Sequence, residues 1–289
     1  MIATLIVGLA TGAVYALVAM GYSIVYRTSG VVNFTAGTYV VLGGLGTYWL
    51  RSHGHLPYPA AILGGIVLAG AFAAVFWVLV VIPLWRRGSP AYVVLLATVV
   101  AAALCAPLIE LLITPQAQTL PAWVSGFTLD VGSSKISGQY VFVMAVALVL
   151  LAGVTAFLRY SILGRQMRAC AASRDTSRLL GIHPELIGGL AMVLTALIGG
   201  LAGAMITPAQ TTQTGMGLTY GIYAFVAAVV GGLDSVPGAF IGGLLLGVGQ
   251  AFVDRYYTAN YDDVIVFGML VVILVLRPNG LFGRAQYVS

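Results

Sequence analysis

Polar and charged residues fall in clusters along the chain, and between the clusters run stretches made almost wholly of apolar side chains and glycine. A bilayer-crossing helix needs about 20 mostly apolar residues. Cutting the chain at the polar clusters gives candidate spans over 2–25, 31–50, 60–85, 92–113, 140–158, 187–206, 218–233, 238–253 and 264–276. The seventh is short, and a full crossing, a broken helix and a re-entrant segment are all open to it. Because unpaired backbone groups cannot face lipid, spans of this kind are helices. The pattern therefore predicts an all-α, polytopic integral membrane bundle with eight or nine transmembrane helices, with room for broken or re-entrant segments, as a single domain over 1–289.

Composition narrows the class. Charged residues are only 7% of the 289, 13 basic and 8 acidic, and hydrophobic residues are 60%; soluble domains carry roughly 25% charged residues. So few charges cannot cover a water-exposed surface, which excludes an ordinary soluble enzyme. The apolar fraction excludes disorder, and the 37 glycines have no three-residue period. The net charge of +5 comes almost entirely from arginine, with Lys135 the lone lysine; in a membrane protein this reports orientation rather than nucleic-acid binding. Cys105 lies in an apolar stretch and Cys170 in a basic one, so neither a disulfide nor a metal-ligand spacing is expected. The apolar start of the chain has no preceding Lys or Arg and reads as the first span rather than a cleaved signal.

Orientation follows from basic residues in short loops. Arg159, Arg165, Arg168, Arg174 and Arg178 crowd one segment, which is expected to be cytoplasmic. Counting back from it, Arg27, Arg86 and Arg87 fall inside and the 114–139 loop outside; counting forward, Arg277 and Arg284 fall inside and the acidic 254–263 stretch outside if the short seventh span crosses. The N-terminus is then outside and the C-terminus inside.

Three places stand out. Asn33, Thr35, Thr38 and Tyr39 form a polar run at the start of the second span. A helix start at membrane depth can meet a polar solute, and the alternative is an irregular helix end. Gln210, Thr211 and Gln213 belong to a dense hydrogen-bonding run after the sixth span, either the mouth of a pathway or an ordinary outer loop. Gly199 with Gly203, Gly238 with Gly242, and Gly243 with Gly247 are four apart, the spacing of close helix packing.

Catalytic motifs are missing: there is no Walker loop, no His-Glu-x-x-His and no Gly-x-Ser-x-Gly. Glu110 sits near a span end, and Asp130, Asp175, Glu185, Asp234, Asp254, Asp262 and Asp263 fall in loops or at boundaries. Gradient-driven carriers commonly keep ionisable groups near the midplane, so energy for uphill transport is expected to enter from another chain. The same scarcity predicts a pathway without a fixed ionic partner for a solute carboxylate. The entry point is the loop 159–186, read as two short helices. Ser173 or Asp175 is placed to cap the second and Gly181 to stop it. Leu179 and Leu180 are expected to pack down while Arg178 faces the cytoplasm as a lever for a docked partner; a solvated basic loop that only fixes topology is the alternative.

Several stretches, taken together, resemble a known family. They are 12–17 and 21–26, the Val32-Asn33-Phe34-Thr35-Ala36-Gly37 run, the loop 164–182, the Gly231-Gly232-Leu233-Asp234-Ser235-Val236-Pro237-Gly238-Ala239 turn, and the ending 277–283. In this order they resemble the LivH-type permeases of branched-chain amino acid ABC importers. The resemblance implies a bacterial inner-membrane permease that translocates branched-chain or related amino acids by alternating access. It implies a second, LivM-like permease, two cytoplasmic ATPases holding ATP and Mg, and a solute-binding protein outside, with no cofactor on this chain. It places Arg165, Arg168, Asp175, Arg178, Leu179 and Gly181 at the contact with the ATPase, and Asn33, Thr35, Thr38, Tyr39, Gln210, Thr211 and Gln213 are the pathway candidates. A self-sufficient, ion-gradient-driven carrier or channel is the competing class.

Overall fold

The computed structural model describes residues 1–113, 116–123, 128–131, 134–256 and 261–283. Arg284, placed inside by the charge count, lies outside the described residues, as does part of the 114–139 loop. The helices are α1 (Ile2–Ser29), α2 (Ala36–Ser52), α3 (Tyr58–Phe76), α4 (Ile82–Arg86) and α5 (Ala91–Leu112). They continue as α6 (Gly138–Tyr160), α7 (Ile162–Ala172), α8 (Arg174–Leu179), α9 (Pro184–Ile206), α10 (Met216–Gly231), α11 (Val236–Tyr256) and α12 (Asp262–Leu276).

Each predicted apolar stretch lies largely on a helix, but the predicted eight or nine crossings are not reached on helix length. Six helical units among the described residues are long and apolar enough to cross a membrane: α1, α3 with α4, α5, α6, α9 and α11. α2, α10 and α12 have 17, 16 and 15 residues. At 1.5 Å per residue each reaches only about 22–26 Å, short of a hydrocarbon core of about 30 Å. The 114–139 loop also holds structure that a search for spans cannot find. Strands β1 (Thr128–Val131) and β2 (Ser134–Ser137) pair antiparallel, Thr128 opposite Ser137 and Val131 opposite Ser134.

α3 and α4 form one continuous rod through a π-helical turn over Trp77–Val81. Its cause is Pro83, which cannot donate to the carbonyl four residues back and whose ring crowds that carbonyl. Widening the preceding turn relieves the conflict and aims Trp77 at α9, where the indole N–H donates to the Glu185 carbonyl oxygen at 2.9 Å.

The core is built on α1, which packs against α11, α9, α10 and α6. Lipid is as apolar as leucine, so helices associate in it through close van der Waals packing of small residues rather than through apolar burial. The seams are accordingly made of glycine. Gly8 and Gly12 of α1 meet α11 at Gly243, Gly247 and Ala251, while Gly43 of α2 lies on Gly200 of α9 and Gly203 on Val40. An added Cβ at Gly247 would strike the Gly12 backbone, and one at Gly242 the Ala227 carbonyl. The packing expected of the glycine pairs on α9 and α11 is what these positions do.

Two stretches far apart in sequence join at one end of the bundle. The turn after α10 passes through Gly232 at φ 105°, and the tail after α12 through Gly280 at φ 76°. Leu281 N–H donates to the Val230 oxygen at 2.8 Å and Phe282 N–H to the Gly231 oxygen at 3.0 Å, so the tail closes over the free carbonyls of α10.

Candidate functional site

The basic segment folds as expected into two short helices. Ser161 Oγ accepts from Gly164 N–H at 2.9 Å to start α7, and Ser173 Oγ accepts from Thr176 N–H at 3.2 Å to start α8. Ser173, not Asp175, is therefore the cap. Gly181 at φ 75° ends the segment, with Ile182 N–H donating to the Ser177 oxygen at 3.0 Å. Gly164, Met167 and Cys170, three residues apart, form the buried face of α7. Arg168 donates to the Leu158 oxygen and Arg165 to the Tyr160 oxygen, which neutralises the negative C-terminal end of α6 and braces α7 against it.

The tip differs from the expectation. Leu179 is 88% exposed and Leu180 71% exposed, so they do not pack down. Arg178 stays exposed and lies 3.9 Å from Glu185 and 3.8 Å from Asp175. The helix is only six residues long, too short to bury a second face. Glu185 also holds Arg86 at 3.2 Å. The Arg174 guanidinium lies 4.2 Å from the centre of the Trp85 ring, and Trp85 meets Trp77 edge-on at 5.0 Å. Burial, and behind it Arg178, hold the Arg174 guanidinium below its ordinary pKa. Trp77, Trp85, Arg86 and Glu185 are missing from the sequence-derived set. The one available signal was the Trp-Arg-Arg cluster closing the third span, since nothing in sequence pairs it with Glu185.

The polar runs end up in different surroundings. Asn33, Thr35, Thr38 and Tyr39 are all buried. Thr35 Oγ1 lies 2.6 Å from Asn33 Oδ1 and 2.7 Å from Tyr39 Oη, Asn33 Nδ2 donates to Tyr39 Oη at 3.0 Å, and Asn33 Oδ1 also accepts from Thr35 N–H at 3.0 Å. This is a closed ring in which each side chain answers another. Phe34 N–H donates to Thr98 Oγ1 at 3.1 Å, which ties the run to α5.

Gln210, Thr211 and Gln213 lie at the other end of α1, away from α7. Gln118 and Thr212 exchange backbone hydrogen bonds at 2.9 and 2.8 Å, joining this run to the loop after α5. Thr214 donates to Glu110 Oε1 at 2.6 Å. Thr211 is exposed, while Gln210 and Gln213 border a cavity of about 410 Å³ between α1, α10, α11 and the start of α12. Gln210 Nε2 donates to Thr11 Oγ1 at 3.1 Å and its Oε1 accepts from Tyr220 at 3.4 Å. Tyr15, Gln250, Asp254 and Asp262 complete the polar lining. Asp254 is thus in the last turn of α11 and Asp262 in the first turn of α12; Asp254 is exposed and Asp262 half-buried. Both acids stand at helix ends, the boundary positions expected of them from the sequence.

A bundle with glycine-packed spanning helices, a braced basic helix pair at one end and a polar cavity at the other is a multi-pass membrane protein of the transport class. The chain belongs to the branched-chain amino acid transport system permease component family, whose model matches residues 4–274. It is 31% identical to the high-affinity branched-chain amino acid transport system permease protein LivH of Escherichia coli K12, over 96% of this chain and 94% of that protein. It is likewise 31% identical to the corresponding permease protein BraD of Pseudomonas aeruginosa, over 98% and 95%. Among solved structures, PsaBC from Streptococcus pneumoniae in complex with Fab aligns over 96% of this chain and 92% of the other, at 14% identity and a TM-score of 0.49.

Proposed function

We propose that this chain is the transmembrane permease of an ATP-binding cassette importer in the bacterial inner membrane, carrying branched-chain or chemically related amino acids handed over by a solute-binding protein. In this reading residues 1–289 form one permease domain, with 159–186 as its cytoplasmic coupling segment, the N-terminus outside and the C-terminus inside. The short helices α2, α10 and α12 complete nine crossings by packing in a locally thinned or tilted arrangement. A second, LivM-like permease and two ATPases that bind ATP and Mg complete the complex. Support comes from the family and from one observation in particular. α7 and α8 are clamped to α6, α9 and the α3–α4 rod while Leu179 and Leu180 project from the tip. A braced element with an exposed apolar tip transmits displacement rather than absorbing it. ATP-driven movement of an ATPase gripping Leu179 and Leu180 would reach the spanning helices through Glu185, Arg86 and Arg168, switching access to the cavity.

The test is the double substitution Leu179→Asp with Leu180→Asp in the reconstituted complex. ATP-driven uptake should fall at least tenfold, while the variant permease still elutes as a folded monodisperse species. Uptake within twofold of wild type would remove the tip from coupling, and uptake by the purified chain alone under an ion gradient would replace this reading by the carrier alternative.

A further inference from the structure

The walls of the cavity between α1, α10, α11 and α12 differ from its interior. Gln210 is spent on Thr11 and Tyr220, and Tyr223 donates to Asp263 at 2.7 Å, so these groups hold the walls together. Three other groups line this space: Gln250 also bonds Tyr15 and Asp254 bonds Asp262, yet Gln250 and Asp262 each keep an open acceptor. Gln250 is only 8% exposed, and its Oε1 is buried with no hydrogen-bond partner among the described residues. Asp262 Oδ1 is likewise buried and unpartnered, and Asp254 lines the same space. A buried acceptor without a donor costs about 1–3 kcal/mol, so a site with two of them calls for a donor that the described residues do not supply. The nearest guanidinium in sequence, Arg255, turns away and donates to Thr4 Oγ1 at 2.8 Å. No Lys, Arg or His borders the cavity among the described residues.

We propose that this cavity binds the primary ammonium group of the transported solute, with Gln250 Oε1 and the carboxylates of Asp254 and Asp262 as its acceptors. An ammonium carries three N–H donors and no acceptor, which suits the acceptors of Gln250, Asp254 and Asp262. Tyr15 and Tyr220, with ring centres 5.4 Å apart, add π faces that attract a cation. About 410 Å³ is far more than a bare ion needs, and Val7, Met216 and Ala251 line the remainder. The ligand is therefore a cation with an attached carbon skeleton. The assignment of that ammonium to an amino acid rests on the importer reading; the site itself does not. It keeps the sequence-based expectation of no fixed ionic partner for a solute carboxylate and adds a partner for the amino end of a zwitterion.

The purified full-length chain in detergent is titrated with L-leucinamide, which keeps the ammonium and lacks the carboxylate, and with 4-methylpentanoate, which lacks the ammonium. L-leucinamide should raise the thermal midpoint in a saturable, millimolar-range titration, and 4-methylpentanoate should not. The double variant Asp254→Asn with Asp262→Asn should lose the response. Should that variant fail to fold, Gln250→Leu serves instead and should raise the half-saturating concentration about fivefold, the effect of one lost hydrogen bond. An absent response to L-leucinamide, an equal response in the variants, or the same saturable rise with sodium chloride in place of L-leucinamide would overturn the proposal, the last by assigning the cavity to an inorganic cation. No ATPase is present in this measurement. A complex that fails ATP-driven uptake while the L-leucinamide response persists would therefore refute the importer reading and leave the site standing.

Discussion

The runs 33–39 and 210–215 look alike as sequence: each is a handful of hydrogen-bonding residues and a glycine beside a long apolar stretch. In the folded chain they are opposites. Asn33, Thr35 and Tyr39 bond to one another, and Gly37 lies so close to α10 that an added Cβ would strike the Gly217 carbonyl. Gln210 and Gln213 border a space whose deeper acceptors have no partner, and around Gly215 nothing lies within 4 Å of an added Cβ. Polarity inside a membrane protein thus has two uses. A ring of side chains that satisfy one another is a strut; a polar surface with open acceptors is a place for a ligand. Partner accounting separates them and composition does not.

The largest effect that would break this contrast comes from the two glycines. Gly37→Val should abolish accumulation of folded protein, since overpacking against backbone costs about 1–3 kcal/mol or more and cannot relax by a rotamer change. Gly215→Ala should leave yield and thermal midpoint unchanged, both read by fluorescence-detected gel filtration. A stable Gly37→Val would mean that α2 and α10 are not locked where they appear.

Next in size is Asn33→Leu, which strands Thr35 N–H and leaves the Tyr39 hydroxyl with Thr35 alone. Its expected cost is about 2 kcal/mol, visible as a lowered midpoint in the same assay, with Thr35→Val showing a smaller drop. Gln250→Leu removes an acceptor that has no partner, so its midpoint should equal or exceed that of the wild type. Equal losses at Asn33 and Gln250 would erase the distinction between strut and site.

A smaller effect is expected at the braced end. Glu185→Gln weakens the two ion pairs with Arg86 and Arg178, one at 3.2 Å and one at 3.9 Å, and both arginines are largely exposed. Pairs of this kind contribute about 0–1 kcal/mol, so the midpoint should barely move, while coupling of ATP hydrolysis to uptake should fall measurably. The smallest effect is chemical. Burial pushes the Cys170 thiol above its ordinary value, against the opposing pulls of Ser177 and Arg174. In a Cys105→Ser background, alkylation of Cys170 should lag behind a free cysteine at pH about 8.5 and rise further at higher pH, because a raised pKa leaves less thiolate at any given pH. A rate equal to that of the free thiol would place Cys170 in solvent.

Much of the fold was legible because membrane burial imposes a strong one-dimensional signal. Apolar stretches near 20 residues become helices whatever their neighbours, and the basic segment with Ser161, Ser173 and Gly181 marks its own helix starts and stop. Less was legible where short helices are concerned: α10 and α12 are mostly apolar, yet whether they cross depends on what they pack against. The direction of Leu179 was likewise open, because a six-residue helix is too short to bury a second face.

The chain alone therefore determined the class, the positions of its helices and the family, because these depend on local hydropathy, caps and motif order. Tertiary structure alone decided which polar residues are struts and which are open. It joined the 231–239 turn to the 277–283 tail, set Trp77 and Trp85 beside Arg174, and brought Gln250, Asp254 and Asp262 to one cavity from two helices. The physical reason is that a hydrogen bond or ion pair is a property of two groups in space, and sequence records only one of them at a time.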